Sequence, residues 1–173
     1  MSHLVEVSLY DLYDNTENAN PSKVRKAHLI NIDTDIKFNF LPPSTLIMRT
    51  EAYGTSTYNM TIIINGVKQT PRGKKIIETI TGPIRISAIN PRTTNAQVFC
   101  ACTDFSFACN RQNHNADALA ELDFYGNRVD NLRPVYIKIT DRMPRQDYTS
   151  NPCLCKHLVK FTQELKDRGI FGR

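Results

Sequence analysis

The feature that most limits the fold of this chain is a succession of short, β-prone stretches, each closed by a turn signal. Residues 35–41, DIKFNFL, alternate, with Ile36, Phe38 and Phe40 on one side and Lys37 and Asn39 on the other. An extended chain points successive side chains to opposite faces, so period two predicts a half-buried strand. Pro42 and Pro43 end it, because proline cannot donate to a ladder. The same periodicity predicts a strand over 4–10, where Val5, Val7 and Leu9 oppose Glu6, Ser8 and Tyr10. Further strands are expected over 28–32 and 45–53, with the polar, proline-bearing run 14–26 as a loop.

After the β-branched run of YNMTIIING, Asn65-Gly66 suits the positive-φ positions of a type I′ turn and predicts a hairpin. Residues 75–81 and the IRISAI that follows Gly82-Pro83 predict two more strand segments. Residues 96–109 read as a strand bulged or folded near Thr103-Asp104, and 135–140 as the last strand. About nine or ten short strands at such spacing imply an antiparallel sandwich or barrel. The expected fold is therefore mainly β, an antiparallel β-sandwich of the jelly-roll kind. At 173 residues, the chain suits one domain, 1–173, with a core that needs no staple.

Two helices interrupt this pattern. Residues 115–124 can form a short one, with Asn115 as cap and Gly126 just past its end. The second, over 152–168, has Asn151 as N-cap and Pro152 where a missing N–H costs nothing. Leu154, Leu158, Phe161 and Leu165 form one apolar stripe along it, Gly169 suits the C′ position, and Ile170 and Phe171 cover the end.

Net charge is +5, carried by scattered basic residues, so a polyanionic partner is allowed but not required. The N-terminus lacks the basic-then-apolar layout of a secretory signal, and no run reaches the roughly 18 apolar residues of a membrane helix. The expectation is a soluble, intracellular protein without a membrane span. Thiols stay reduced in that setting, which argues against a disulfide framework, and five cysteines would leave one unpaired.

Those cysteines carry the chemistry worth weighing. Three fall in CACTDFSFAC, residues 100–109, and two in CLCKH, residues 153–157. The favoured reading is that they fill core space as small hydrophobes. A metal reading joins Cys100 and Cys102 to Cys153 and Cys155, with His114 or His157 in reserve, since zinc takes four soft ligands in a tetrahedron. In an extended strand, the thiols of C-x-C lie roughly 7 Å apart, so chelation needs a bend there. A third reading makes Cys153 or Cys155 a nucleophile with His157 as base, because a helix N-terminus acidifies thiols and Cys153 and His157 stand four apart.

Other constellations are weaker. Asp33 and Asp35 could hold a cation, but aspartates also favour turns, and a turn is expected there. Arg72, Lys74 and Lys75 in TPRGKK could meet phosphate, yet no phosphate-cradling glycine loop surrounds them. Asn59-Met60-Thr61 fits a glycosylation pattern inside an expected strand and is discounted. Dinucleotide, nucleophile-elbow, zincin and EF-hand signatures are all missing.

The sequence thus implies a non-enzymatic structural or assembly protein with no catalytic residue, cofactor or metal. It would pack against itself or other subunits, as in a virus capsid-like shell. The contact elements would be segment 1–13, through Val5, Val7 and Leu9, and the C-terminal helix, through Leu154, Leu158, Phe161, Leu165 and Phe171. The alternatives are a polyanion- or nucleic-acid-binding module using Arg72, Lys74, Lys75, Arg85 and Arg92, and the thiol enzyme above.

Overall fold

Antiparallel pairing around one long strand organises the computed structural model, which describes residues 6–129 and 151–172. Strand β3 (Thr45–Tyr53) pairs along its whole length with β4 (Thr57–Asn65), from Thr45 opposite Asn65 to Tyr53 opposite Thr57. The other edge of β3 is shared by β1 (Asn31–Ile32) and β2 (Lys37–Leu41), which bond its two ends. Between them Asp35 N–H donates to Asp33 Oδ1 at 2.9 Å, the expected aspartate turn. β5 (Lys75–Thr79) and β6 (Gly82–Ile86) form a separate hairpin. β7 (Ala96–Cys100) closes the five-stranded sheet beside β4.

The pleat gives this sheet two different faces. Leu46, Met48 and Ala52 of β3, Met60, Ile62 and Ile64 of β4, and Ala96, Val98 and Cys100 of β7 point into the main core. Ile47 and Ile63 point the other way, into a small cluster with Ala120 and Phe124. The chain after β7 reaches that second face by running along the strand: Val98 N–H donates to Ala118 O, and Ala120 N–H to Val98 O, both at 2.9 Å. Asn39 then ties it down, its buried Nδ2 donating to Phe124 O at 2.8 Å.

The main face is covered by helices and the β5–β6 hairpin. Helix α1 (Leu9–Ala19) contributes Leu9 and Leu12, and α4 (Lys156–Asp167) contributes Leu158, Val159, Phe161 and Leu165. α2 (Pro21–Lys26) follows α1, and α3 (Asn110–Asn115) follows a π-helical turn at Phe105–Cys109. Among the described residues the fold is thus a mixture of antiparallel sheets and several helices without a closed barrel, where the sequence predicts a mainly β sandwich. No helix among the described residues is long and apolar enough to cross a membrane.

The departures have local causes. The expected strand over 4–10 gives way at Ser8, which opens α1 with a reciprocal box: Ser8 Oγ accepts from Asp11 N–H at 3.1 Å, and Asp11 Oδ2 accepts from Ser8 N–H at 3.0 Å. The expected loop 14–26 is accordingly helical in most of its length. Asn65-Gly66 makes no hairpin, because β4 already lies between β3 and β7; Gly66 has φ +88° while Val67 N–H donates back to Ser44 O. Past Cys100 the expected strand becomes helical, opened by Ser106 N–H to Cys102 O at 3.1 Å.

The helix expected over 115–124 lies upstream, as α3, because the backbone of 118–120 bonds to Val98 instead. The C-terminal helix begins at Lys156 rather than 152, since side chains from elsewhere take the backbone N–H groups of Cys153 and Leu154. The strand expected over 135–140 falls outside the described residues, as does Val5.

Candidate metal centre

Four metal-ligating side chains converge where β7 ends and α4 begins: Cys100, Cys102, Cys155 and His157. All four are buried, and one ligand atom from each lies within 4.8 Å of the other three. His157 Nδ1 is 3.9 Å from both Cys100 Sγ and Cys155 Sγ. A zinc ion at the usual 2.3 Å from sulfur would hold tetrahedral sulfurs about 3.8 Å apart. The four side chains therefore need to draw in by no more than about 1 Å to enclose an ion at that geometry.

Local structure explains how a C-x-C pair converges. The last ladder bond of this edge is Ala101 N–H to Asn59 O at 3.0 Å. The chain then turns into its helical stretch, and Cys102 sits at the entrance, its Sγ accepting from Phe105 N–H at 3.3 Å. The bend the sequence reading required is thus present, and it swings Cys102 Sγ back toward Cys100. On the other side Cys155 occupies the N-cap of α4, and His157 lies on its first turn. The His157 ring packs at 5.2 Å, centroid to centroid, against Tyr58. The Phe105 N–H at the start of the helical stretch after β7 thus donates to Cys102 Sγ, a contact that favours negative charge on that sulfur.

The thiols differ in proton affinity. Hydrogen bonding from Cys100, then from Cys155, holds Cys102 well below the ordinary thiol range. The same bond to Cys102 pushes Cys100 up. Burial, followed by the hydrogen bonds to its neighbours, pushes the wholly enclosed Cys155 up. The cluster thus offers three sulfurs, the one at Cys102 the readiest to lose its proton, and an imidazole as fourth donor; a divalent ion would displace the thiol protons. Three sulfurs and one nitrogen in a tetrahedron suit zinc, and the set leaves no coordination position for substrate or water.

The remaining two cysteines pair with each other. Cys109 and Cys153 form a disulfide, with Cα atoms 5.4 Å apart, where the sequence reading argued against disulfides. The turn carrying Cys109 and the extended segment carrying Cys153 are packed side by side in the core, within the range that permits a bridge. Cys153 therefore drops out of the expected ligand set, and His157 enters from reserve. His114 stands apart on the surface, 4.0 Å from Glu121. As for a nucleophile, Cys153 is bonded to Cys109, and Cys155 is fully buried facing His157 and the other two thiols.

Leu9, Leu154, Leu158, Phe161, Leu165 and Phe171 are buried in the chain's own core, and Val7 packs against it half-buried. The apolar stripe of α4 thus has its partner inside the molecule. Arg72, Lys74, Lys75 and Arg85 gather at the β5–β6 hairpin and its approach loop, where Lys75 Nζ donates to Arg168 O and Arg85 to Gly73 O. Arg92 is elsewhere, 5.1 Å over the Tyr10 ring and 3.5 Å from Asp14. No family model matches the chain, and no curated protein or solved structure matches it either.

Proposed function

We propose that this chain is a non-enzymatic structural subunit whose fold is fastened by one zinc ion held by Cys100, Cys102, Cys155 and His157. The observation that carries this reading is the convergence of four buried protein ligands, one atom of each within 4.8 Å of the other three, which is the number a closed tetrahedral site needs. Catalytic zinc keeps a position open for water or substrate, whereas structural zinc is closed by protein on all four sides. The ion would join the end of β7 to the start of α4, two pieces far apart in sequence. Metal analysis of the purified chain tests it: one equivalent of zinc is expected, with a melting midpoint that falls on strong chelation, and a chain without metal that melts unchanged in chelator would refute it.

The structural role is that of a unit packing against copies of itself or other subunits, as in a capsid-like shell. With the stripe of α4 turned inward, the contacts would fall to the large apolar side chains left at the surface among the described residues, Leu29, Tyr53, Ile76, Ile80 and Tyr125. Light scattering over a range of concentrations decides this; a strict monomer throughout would count against it.

A second reading, binding of a polyanion, draws on the hairpin cluster. Among the described residues, none of Arg72, Lys74, Lys75 and Arg85 pairs with a carboxylate, and the partners of Lys75 and Arg85 are neutral carbonyls. Their positive charge is therefore uncompensated. Binding to single- or double-stranded nucleic acid that weakens steeply with salt would support this reading, and no binding at low salt would end it.

A further inference from the structure

The four ligands of the metal centre come from two pieces of chain, and the disulfide joins those same two pieces. Cys102 is followed by the helical turn that ends in Cys109, and Cys153 precedes Cys155 in the extended lead-in to α4. We propose that the Cys109–Cys153 disulfide sets the affinity of the metal centre: reducing it loosens the ion, and the ion in turn protects the bond from reduction. This rests on the zinc reading above and adds its regulation.

Loop closure supplies the physical reason. An ion that bridges Cys102 and Cys155 must close a ring of chain. With the disulfide made, the shortest covalent path between these ligands runs through it and falls from roughly fifty residues to roughly ten. Ring-closure cost grows as (3/2)RT ln n, so the probability of closure falls as the three-halves power of that length and the intact disulfide favours metal binding by about tenfold. Once it opens, the extended segment is held by side chains alone: Asn15 on Pro152 O, Asn113 on both ends of Cys153, and Thr16 on Leu154 N–H. Coupling between two binding equilibria is reciprocal, so zinc must make the disulfide harder to reduce by the same factor.

The chemistry of opening balances with an external reductant. A water-soluble phosphine breaks the S–S bond, takes oxygen from water as its oxide, and leaves both sulfurs as thiols carrying that water's hydrogens. Glutathione does the same by two successive thiol exchanges, ending in two protein thiols and glutathione disulfide.

The experiment uses the full chain and zinc, with a chromophoric chelator as competitor, before and after phosphine reduction. One zinc is expected in both states, held about tenfold more weakly after reduction. The Cys109→Ala/Cys153→Ala variant should match the reduced protein. Should that variant fail to fold, the reciprocal measurement suffices: in glutathione buffers, zinc should shift the reduction midpoint of the disulfide by about 30 mV, the two-electron equivalent of tenfold. Equal affinity in both redox states, or an unmoved midpoint, overturns the coupling and leaves the zinc reading standing. Tighter binding after reduction also overturns it, because Cys109 or Cys153 would then have entered coordination. An oxidised chain that binds no zinc overturns both.

Discussion

The side-chain amide of Asn113 holds the backbone of Cys153 at both ends, Nδ2 donating to Cys153 O at 2.9 Å and Oδ1 accepting from Cys153 N–H at 2.7 Å. Asn113 is wholly buried and reaches across forty residues of sequence to do this. The contact copies the pairing of two strands with a side chain in place of one of them. It fixes the segment that delivers Cys155 and His157, so the fold and the candidate metal centre share one anchor.

Replacing Asn113 by alanine strands a buried N–H and a buried carbonyl. Each orphaned group costs about 1–3 kcal/mol, so Asn113→Ala should lose about 3 kcal/mol in denaturant unfolding. Asn113→Asp keeps the acceptor but sets a buried carboxyl oxygen against Cys153 O, so at neutral pH it should cost at least as much as alanine. A variant as stable as the parent would show that water replaces the amide.

The ligand set makes a sharper prediction, because substitutions of chemically similar cysteines should divide into two groups. Cys100→Ser, Cys102→Ser, Cys155→Ser and His157→Gln should each abolish stoichiometric zinc. The Cys109→Ser/Cys153→Ser pair should still take up one equivalent at saturating zinc. In thermal melts chelator should lower the midpoint of the parent but not of the four ligand variants, since an ion that binds only the folded state stabilises it by mass action. X-ray absorption at the zinc edge should report three sulfurs and one nitrogen.

Proton release gives an independent check. Metal binding requires thiolates, and the Cys100 and Cys155 thiols are both pushed up, whereas Cys102 is already lowered. Zinc binding near neutral pH should therefore release about two protons. The sign follows directly: protons are products of binding, so affinity rises with pH and the ion is lost as pH falls. Calorimetry in buffers of differing ionisation heat measures the number, and uptake of protons or none would contradict the assignment.

Much of the sheet was legible because its signals are local. The strands over 45–53, 57–65 and 37–41 follow from alternation and β-branched runs, and the Asp33–Asp35 turn from the chemistry of aspartate. What failed was decided by partners distant in sequence. Asn65-Gly66 reads as a hairpin until β7 claims the far edge of β4. Asn151 reads as a cap until Asn113 and Thr16 take the next backbone groups and pass the cap to Cys155. The metal centre was half legible. Cys100-x-Cys102 and Cys155-x-His157 share a one-residue spacing, the signal that could have paired them. The four-cysteine set places Cys153 where His157 stands, because the Cys109–Cys153 bond that removes Cys153 joins residues distant in sequence.

The start of α1 offers a case where a readable motif was masked by a competing one. Ser8 and Asp11 stand at the spacing of a capping box, but the apolar alternation of Val5, Val7 and Leu9 runs through the same residues. In the structure the box prevails, with both hydrogen bonds formed and Ser8 itself buried. Ser8→Ala should cost about 1 kcal/mol, the usual value of an N-cap, and Ser8→Thr should retain most of it. The effect should be strongly non-additive with Asp11→Ala, because the two side chains serve one motif and either loss breaks it. Because α1 also carries Asn15 and Thr16, which hold Pro152 and Leu154, zinc affinity should weaken slightly while stoichiometry stays at one. Additive costs in the double variant would mean that the two side chains act separately, as independent surface residues rather than as the start of a helix.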